Sequence, residues 1–311
     1  MAVARIDAGG MALLLFKTVE VRRFNSYLTQ NIMNQEHSAL KQLVKEKYGE
    51  IATQPLSQNA SSCCGATTGC ATEGFTIMAD DYSTLDGYNP DADLGLGCGL
   101  PTEFAKLKEG DTVIDLGSGA GNDCFVARKF VGPGGKVIGV DFTESMIARA
   151  RENADKVGFN NVEFRLGDIE ELPLNANTAD VVISNCVLNL VPNKEKVFKE
   201  ILRVLKPKKH FSISDIVLEG ELPANLKHAA ELYAGCVSGA IQKRDYLDLI
   251  RKTGFVNVDV QKEKRIIIPD DILLQYISAT EIAQWKSSGV GIYSITVYAE
   301  KLCCEPGTGC C

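Results

Sequence analysis

The chain contains 11 cysteines but not one Cys-x-x-Cys pair. Its three histidines, His37, His210 and His228, sit in no finger-like spacing. These absences disfavour a structural zinc site, whose ligands usually come in closely spaced pairs. Zinc stays open as an alternative, because scattered thiols can converge in space. An excess of positive charge is missing too: 33 Lys and Arg stand against 40 Asp and Glu, a net charge of −7. A general nucleic-acid binder needs a basic face, so none is expected. The most compact apolar stretch near the start, Met11 to Phe16, is too short to cross a bilayer, and no small-residue cleavage site clearly follows it. A cytoplasmic protein without membrane association is the expectation. That compartment disfavours an extracellular disulfide framework. What is present is a hydrophobic content of 45%, enough for a sizeable core.

From Asp111 onward, short apolar runs alternate with helical patterns. Strands are expected at Thr112–Leu116, Lys136–Val140, Val162–Leu166, Asp180–Ser184 and Phe211–Asp215. Helices are expected at Asn122–Phe130, Glu144–Val157 and Lys194–Leu205. Such alternation predicts a parallel sheet covered on both faces, with ligands beyond the carboxyl ends of its strands. Upstream, Leu40, Leu43, Val44 and Tyr48 fall at helical spacing within Ser38–Tyr48. Residues 54–72 are rich in Ser, Asn, Thr, Gly and Cys and read as a loop. Downstream, a helix is expected from Pro223 to Ala240, another over Arg244–Thr253, and late strands at Val256–Gln261 and Ile292–Glu300. The terminal Cys303-Cys304 to Cys310-Cys311 run echoes Cys63-Cys64 to Cys70.

Asp115-Leu116-Gly117-Ser118-Gly119-Ala120-Gly121 follows a predicted strand and opens a helix. Glycines let the backbone pass close under a ligand, and a helix N-terminus leaves N–H groups free. A dinucleotide loop is the competing reading. Against it, Asp115 lies at the strand end, where pyrophosphate would be repelled. Asp141 ends the second strand and can take both ribose hydroxyls. Asp168, in Gly167-Asp168-Ile169, follows the third and can accept from an adenine amino group. An adenosine without phosphates fits these carboxylates better.

Three cysteines lie in segments that border this motif: Cys98 between Gly97 and Gly99, Cys186 after Asn185 past the fourth strand, and Cys236 between Gly235 and Val237. Each alone could be a small buried hydrophobe. Cys98, glycine-flanked, is expected to be sterically open, and Cys236 to lie on a small-residue helix face. Brought together, such thiols suit a soft, thiophilic centre.

The runs 115–125, 162–167 and 184–190, with Gly97-Cys98-Gly99 and Gly235-Cys236-Val237-Ser238-Gly239-Ala240, resemble the arsenite methyltransferases of the class I methyltransferase superfamily. The resemblance covers roughly residues 44 to 301. It implies a Rossmann-like α/β fold with a mostly parallel sheet, an N-terminal cysteine-rich segment and a C-terminal α+β arsenic-binding region. The expected boundaries are a mobile extension over 1–34, a helix and cysteine-rich segment over 35–100, an S-adenosylmethionine-binding domain over 101–219, the arsenic-binding region over 220–301 and a cysteine-rich tail over 302–311; the extension and the tail are read from the residues and are not general features of the family. By the resemblance, Asp115 faces the methionine amino group of the donor, Gly117 and Gly119 lie under it, Asp141 holds the ribose and Asp168 the adenine. Ser118, Phe142, Met146, Gly167, Ile169 and Asn185 are further candidates for donor contact. Cys98, Cys186 and Cys236 are implied to bind trivalent arsenic, and Cys63 or Cys64 to exchange disulfides with that site. Arsenite and methylarsenite are the implied substrates, thioredoxin or glutathione the reductant, and a monomer the implied state. A quinone-type C- or O-methyltransferase and a metalloid-sequestering protein are the rival readings. Lys206-Pro207-Lys208-Lys209-His210 departs from the family's usual Lys-Pro-Gly-Gly, and a changed turn before the fifth strand is expected there.

Overall fold

The structure is a computed structural model. It describes residues 35, 37–53, 80–227 and 235–303. The chain divides into two compact units, 1–44 and 45–311. Of the first, residues 37–44 are helical. Everything below concerns the second, which opens with helical residues 45–53.

Seven strands form one sheet in the order β3-β2-β1-β4-β5-β7-β6. They are β1 (Thr112–Leu116), β2 (Lys136–Asp141), β3 (Val162–Leu166), β4 (Ala179–Asn185), β5 (Leu205–Glu219), β6 (Phe255–Arg265) and β7 (Gly291–Lys301). The first five pair in parallel, and β7 runs antiparallel to both β5 and β6. Residues 220–301 therefore extend the donor-binding sheet. α1 (Asn122–Val131) and α2 (Glu144–Val157) cover one face, burying Phe125, Val131, Met146, Ile147 and Ala150. α3 (Lys194–Val204) and α4 (Lys243–Thr253) cover the other with Val197, Phe198, Ile201, Tyr246 and Ile250.

α3 shows why these residues make that helix. Val197, Phe198, Ile201 and Val204 recur at helical spacing and are all buried. The Asn193 side chain caps its start by accepting from the Lys196 N–H at 3.0 Å. Burial of each large apolar side chain is worth roughly 1.5–3 kcal/mol, and deleting the Phe198 ring would cost about 3–5 kcal/mol.

The structure departs from the sequence expectations at four places. β5 is far longer than Phe211–Asp215. The expected turn at Lys206–Lys209 is a bulge inside it, because Ala179 pairs with Leu205 and Val181 already with His210. Lys208 takes positive φ there, and Lys206 and Lys209 close on Asp180 at 2.6 and 2.9 Å. Of the helix expected from Pro223 to Ala240, residues 224–227 are helical and Gly235–Val237 is a single 3₁₀ turn; 228–234 lie outside the described residues. β6 runs on to Arg265. Finally, the helical turns Pro101–Phe104 and Asp270–Leu273 and the helix α5 (Ala279–Ser287) were not expected.

Candidate active site

β1 delivers the chain into the glycine loop, and Gly121 caps α1. Gly117, Gly119 and Gly121 all have positive φ, a region glycine enters without steric cost. Val187 packs on Gly117 so tightly that a Cβ there would overlap its methyls. Over Gly119 the space is open, with nothing within 4 Å of where a Cβ would stand. The loop is tied to the end of β2, where Asp141 Oδ2 accepts from the Gly119 N–H at 3.1 Å. Asp141 Oδ1 accepts from the Thr143 N–H at 2.9 Å. Asp168, just past β3, accepts from the Glu170 N–H at 2.8 Å.

The loop is dry and acidic. Burial pushes Asp115 well above the usual carboxylate range, the Asp123 charge adds to this, and the Cys124 thiol, donating at 3.2 Å, opposes it. Asp123 is pushed up to about 6, by burial first, against hydrogen bonds from Tyr82 and Asn185. Burial also raises Asp141. Crowded buried carboxylates reject phosphate and favour a cation. Two buried polar atoms, Ser118 Oγ and Asn122 Oδ1, have no partner among the described residues. The open space over Gly119, these unspent polar atoms and the acidic setting fit S-adenosylmethionine, which carries an ammonium, a sulfonium and ribose hydroxyls.

Beside this loop the thiols meet. β4 ends at Asn185, and Cys186 takes positive φ (62°), its N–H donating to the Ser214 carbonyl at 2.8 Å. A non-glycine residue in that region is held there by its surroundings. Asn185 then fastens the Cys98 loop. Its Oδ1 accepts from the Cys98 N–H at 3.0 Å, and its Nδ2 donates to the Gly99 carbonyl at 2.8 Å and to Tyr82 Oη at 2.6 Å. Ser294 Oγ adds a bond to the Cys98 carbonyl at 2.5 Å. Such a close approach needs both glycines. A Cβ on Gly97 would lie 2.6 Å from Asn185 Nδ2, and one on Gly99 would lie 2.7 Å from Ser214 Oγ. Cys98 is consequently 0% exposed, not open as its glycine flanks suggest.

The Cys236 turn docks against the 3₁₀ turn Leu188–Leu190 that follows Cys186. A Cβ on Gly239 would overlap the Asn189 carbonyl oxygen. Cys98 and Cys236 are near enough to Cys186 to raise its thiol. All three pack with Ile216, Val237, Leu273, Trp285 and Ile292 in an apolar cluster. Burial holds Cys98 up at about 11, with the charges of Asp215 and Cys236 adding, and pushes Cys186 further still. Among the described residues no group of three His, Cys, Asp or Glu side chains is arranged to hold a metal ion.

Of the other candidates, Phe142 is half-buried, while Met146 and Ile169 are buried in the two opposite core clusters. Gly167 packs against Pro173. Asn185 spends its side-chain hydrogen bonds on the Cys98 loop and on Tyr82 and Asp123. Cys63 and Cys64 lie outside the described residues. Sequence reasoning missed Tyr82, Asp123, Asn189 and Ser294. Tyr82, buried and donating to Asp123 at 2.8 Å, stands far upstream of β1 with no pattern around it.

A mostly parallel sheet closed by an antiparallel last strand, with a glycine loop after β1 and acids ending β1 and β2, defines a class I methyltransferase. A methyltransferase-domain family matches residues 107–254. An arsenite methyltransferase of Halobacterium salinarum is 38% identical over 281 residues, covering 87% of this chain and 68% of the relative. One from Aquipseudomonas alcaligenes is 34% identical over 240 residues, covering 75% and 66%. The crystal structure of an arsenic(III) S-adenosylmethionine methyltransferase from Chlamydomonas reinhardtii superposes with a TM-score of 0.56 at 35% identity, covering 68% of each chain. The chain belongs to the arsenite methyltransferase family, and it spans about two thirds of the length of these two curated relatives.

Proposed function

We propose that the protein methylates trivalent arsenic held by Cys98, Cys186 and Cys236. The observation that carries this reading is local. Cys186 shares one apolar cluster with the two outlying thiols, and Val187, the next residue, packs on Gly117 of the donor loop. Thiol site and donor site are thus one residue apart along the chain.

The raised thiols of Cys98 and Cys186 set the binding chemistry. Three thiols exchange with arsenous acid, forming three As–S bonds and releasing three waters. The product is uncharged, so the apolar cluster that disfavours thiolates does not oppose it; a divalent cation on three thiolates would leave a buried net charge. Asp115, Gly117, Gly119, Asp141 and Asp168 would hold S-adenosylmethionine, which supplies an electrophilic methyl when bound. The apolar cluster excludes water, and the two asparagine-held turns fix the arsenic lone pair in place. Methylation would take that pair into a new As–C bond as the donor's S–CH3 bond breaks, its electron pair staying on sulfur and S-adenosylhomocysteine leaving. A further thiolate then attacks one bound sulfur; an S–S bond forms, and the As–S bonding pair returns to arsenic. Cys63 or Cys64 is assigned that attack on the family resemblance, with thioredoxin or glutathione reducing the disulfide afterwards. Methylarsenite, which keeps two exchangeable positions, is the second substrate. We assign a monomer in the cytoplasm; among the described residues no helix is long and apolar enough to cross a membrane.

The test is product speciation after incubation with arsenite, methyl-labelled S-adenosylmethionine and a thiol. Labelled methylarsenicals are expected. Label in a quinone acceptor and none on arsenic would replace this reading.

A further inference from the structure

α3 begins at Lys194, and its ammonium does not point to solvent in the usual way. Lys194 Nζ donates to the Gly239 carbonyl at 2.8 Å, reaching the turn that carries Cys236. The same turn is wedged against Asn189 through the missing Gly239 side chain. Asn189 in turn donates from Nδ2 to the Ile216 carbonyl at 2.7 Å. Ile216 follows Asp215, a fully buried carboxylate on β5. Asp215 accepts from the Ile216 N–H at 3.0 Å and from Tyr246 Oη at 3.4 Å, and its charge acts on Lys194. Nothing in the methylation chemistry uses Lys194 or Asp215. A half-buried lysine is costly to keep charged, and the charge of Asp215 opposes that cost while the Lys194 ammonium holds the Gly239 carbonyl.

We infer that Lys194 is a positioning residue that latches the Cys236 turn onto Cys186. Cys98 is fastened separately, by Asn185 and Ser294. Loss of the Lys194 latch therefore frees one thiol and leaves the other in place. It weakens every arsenical that uses Cys236, the trivalent inorganic form and its monomethyl derivative alike. A change at the Cys98 loop instead selects between them. This inference rests on the proposed arsenic site for its ligand, but the latch itself is defined by thiol access alone.

The experiment compares wild type, Lys194→Met, Lys194→Arg and the double variant Lys194→Met/Asp215→Asn, the last removing the uncompensated buried carboxylate in case the single variant folds poorly. Iodoacetamide alkylation is timed at Cys236 and at Cys98 by mass spectrometry, without arsenic. Arsenite, methylarsenite and S-adenosylhomocysteine binding are then titrated. In both methionine variants Cys236 should alkylate at least about tenfold faster, the loss of one hydrogen bond from a charged donor. Cys98 alkylation and S-adenosylhomocysteine binding should stay as in wild type. Both arsenicals should weaken together, and Lys194→Arg, which keeps the charge and a donor, should restore most of the wild-type behaviour. Unchanged Cys236 alkylation in a folded methionine variant overturns the latch. Equal acceleration at Cys98 and Cys236 also overturns it, since that is general loosening. A wild type that binds neither arsenical overturns the arsenic reading while the alkylation comparison still decides the latch.

Discussion

Replacing Asn185 with alanine should separate the thiol site from the donor site. In the wild type its amide makes hydrogen bonds to the Cys98 N–H (3.0 Å), the Gly99 carbonyl (2.8 Å), Tyr82 Oη (2.6 Å) and Asp123 Oδ2 (3.3 Å). Truncation does not orphan all of these partners. The single Tyr82 hydroxyl proton can still serve the Gly99 carbonyl at 3.2 Å or Asp123 at 2.8 Å, one at a time. The Cys98 N–H is left buried with no replacement, which costs about 1–3 kcal/mol, and each other lost bond adds roughly 1 kcal/mol. A total of about 4–6 kcal/mol is a large part of a domain's stability, typically about 5–15 kcal/mol. It falls on the one segment that brings Cys98 to Cys186. Asn185→Ala should therefore unfold at lower urea and lose arsenite affinity by at least about tenfold, while S-adenosylhomocysteine affinity changes much less. Trp285, the single tryptophan, packs in the apolar cluster with Cys98 and Cys186, so its fluorescence reports arsenical binding. Arsenite affinity at the wild-type level together with lost nucleoside affinity would refute this reasoning and move Asn185 to the donor site.

Asp141→Ala should weaken S-adenosylhomocysteine by about 2 kcal/mol, the worth of hydrogen bonds to a charged carboxylate, and leave arsenite binding nearly intact; calorimetry with both ligands checks it, and unchanged nucleoside affinity would contradict it. Gly99→Ala should cost about 1–3 kcal/mol of stability by overpacking against Ser214, measured by urea unfolding; a neutral result would show that the Cys98 loop can shift. Burial lifts Asp215 from 3.8 to about 7, against the Lys194 charge and the bonds from Ile216 and Tyr246. A raised acid contributes stability that is complete below its unfolded value and is lost as pH rises through its folded one. Wild type should therefore lose stability relative to Asp215→Asn between about pH 4 and 7, by up to about 4 kcal/mol for a shift of roughly three units; parallel pH profiles for the two proteins would remove this assignment.

The strand ends that carry the candidate donor-binding acids were legible because sequence patterns mark such ends well. β1, β2 and β3 are short apolar runs, and the acids Asp115, Asp141 and Asp168 stand at or just beyond their ends. The lower end of β5 was not legible, since Lys206, Lys208 and Lys209 look like a solvated turn. The charges of Lys206 and Lys209 are explained only by Asp180 and Asp111, which come near from other segments. α5 buries little besides Ile282 and Trp285, so its periodicity is faint. The Ser278-x-x-Glu281 capping box was the readable signal for its start. Cys236 read as helical because small residues surround it; those residues instead permit the close contact of Gly239 with Asn189. The burial of Cys98 depends on Asn185, Ser214 and Ser294, distant in sequence, and no local pattern encodes it.

The central claim is that arsenic is held by Cys98, Cys186 and Cys236 together. X-ray absorption at the arsenic edge, on protein loaded with one equivalent of arsenite and no added thiol, measures this directly. Wild type should show three sulfur neighbours and no oxygen, and Cys98→Ser, Cys186→Ser and Cys236→Ser should each show fewer sulfurs. Oxygen retained on arsenic in the wild type, or three sulfurs persisting in all the serine variants, would contradict it.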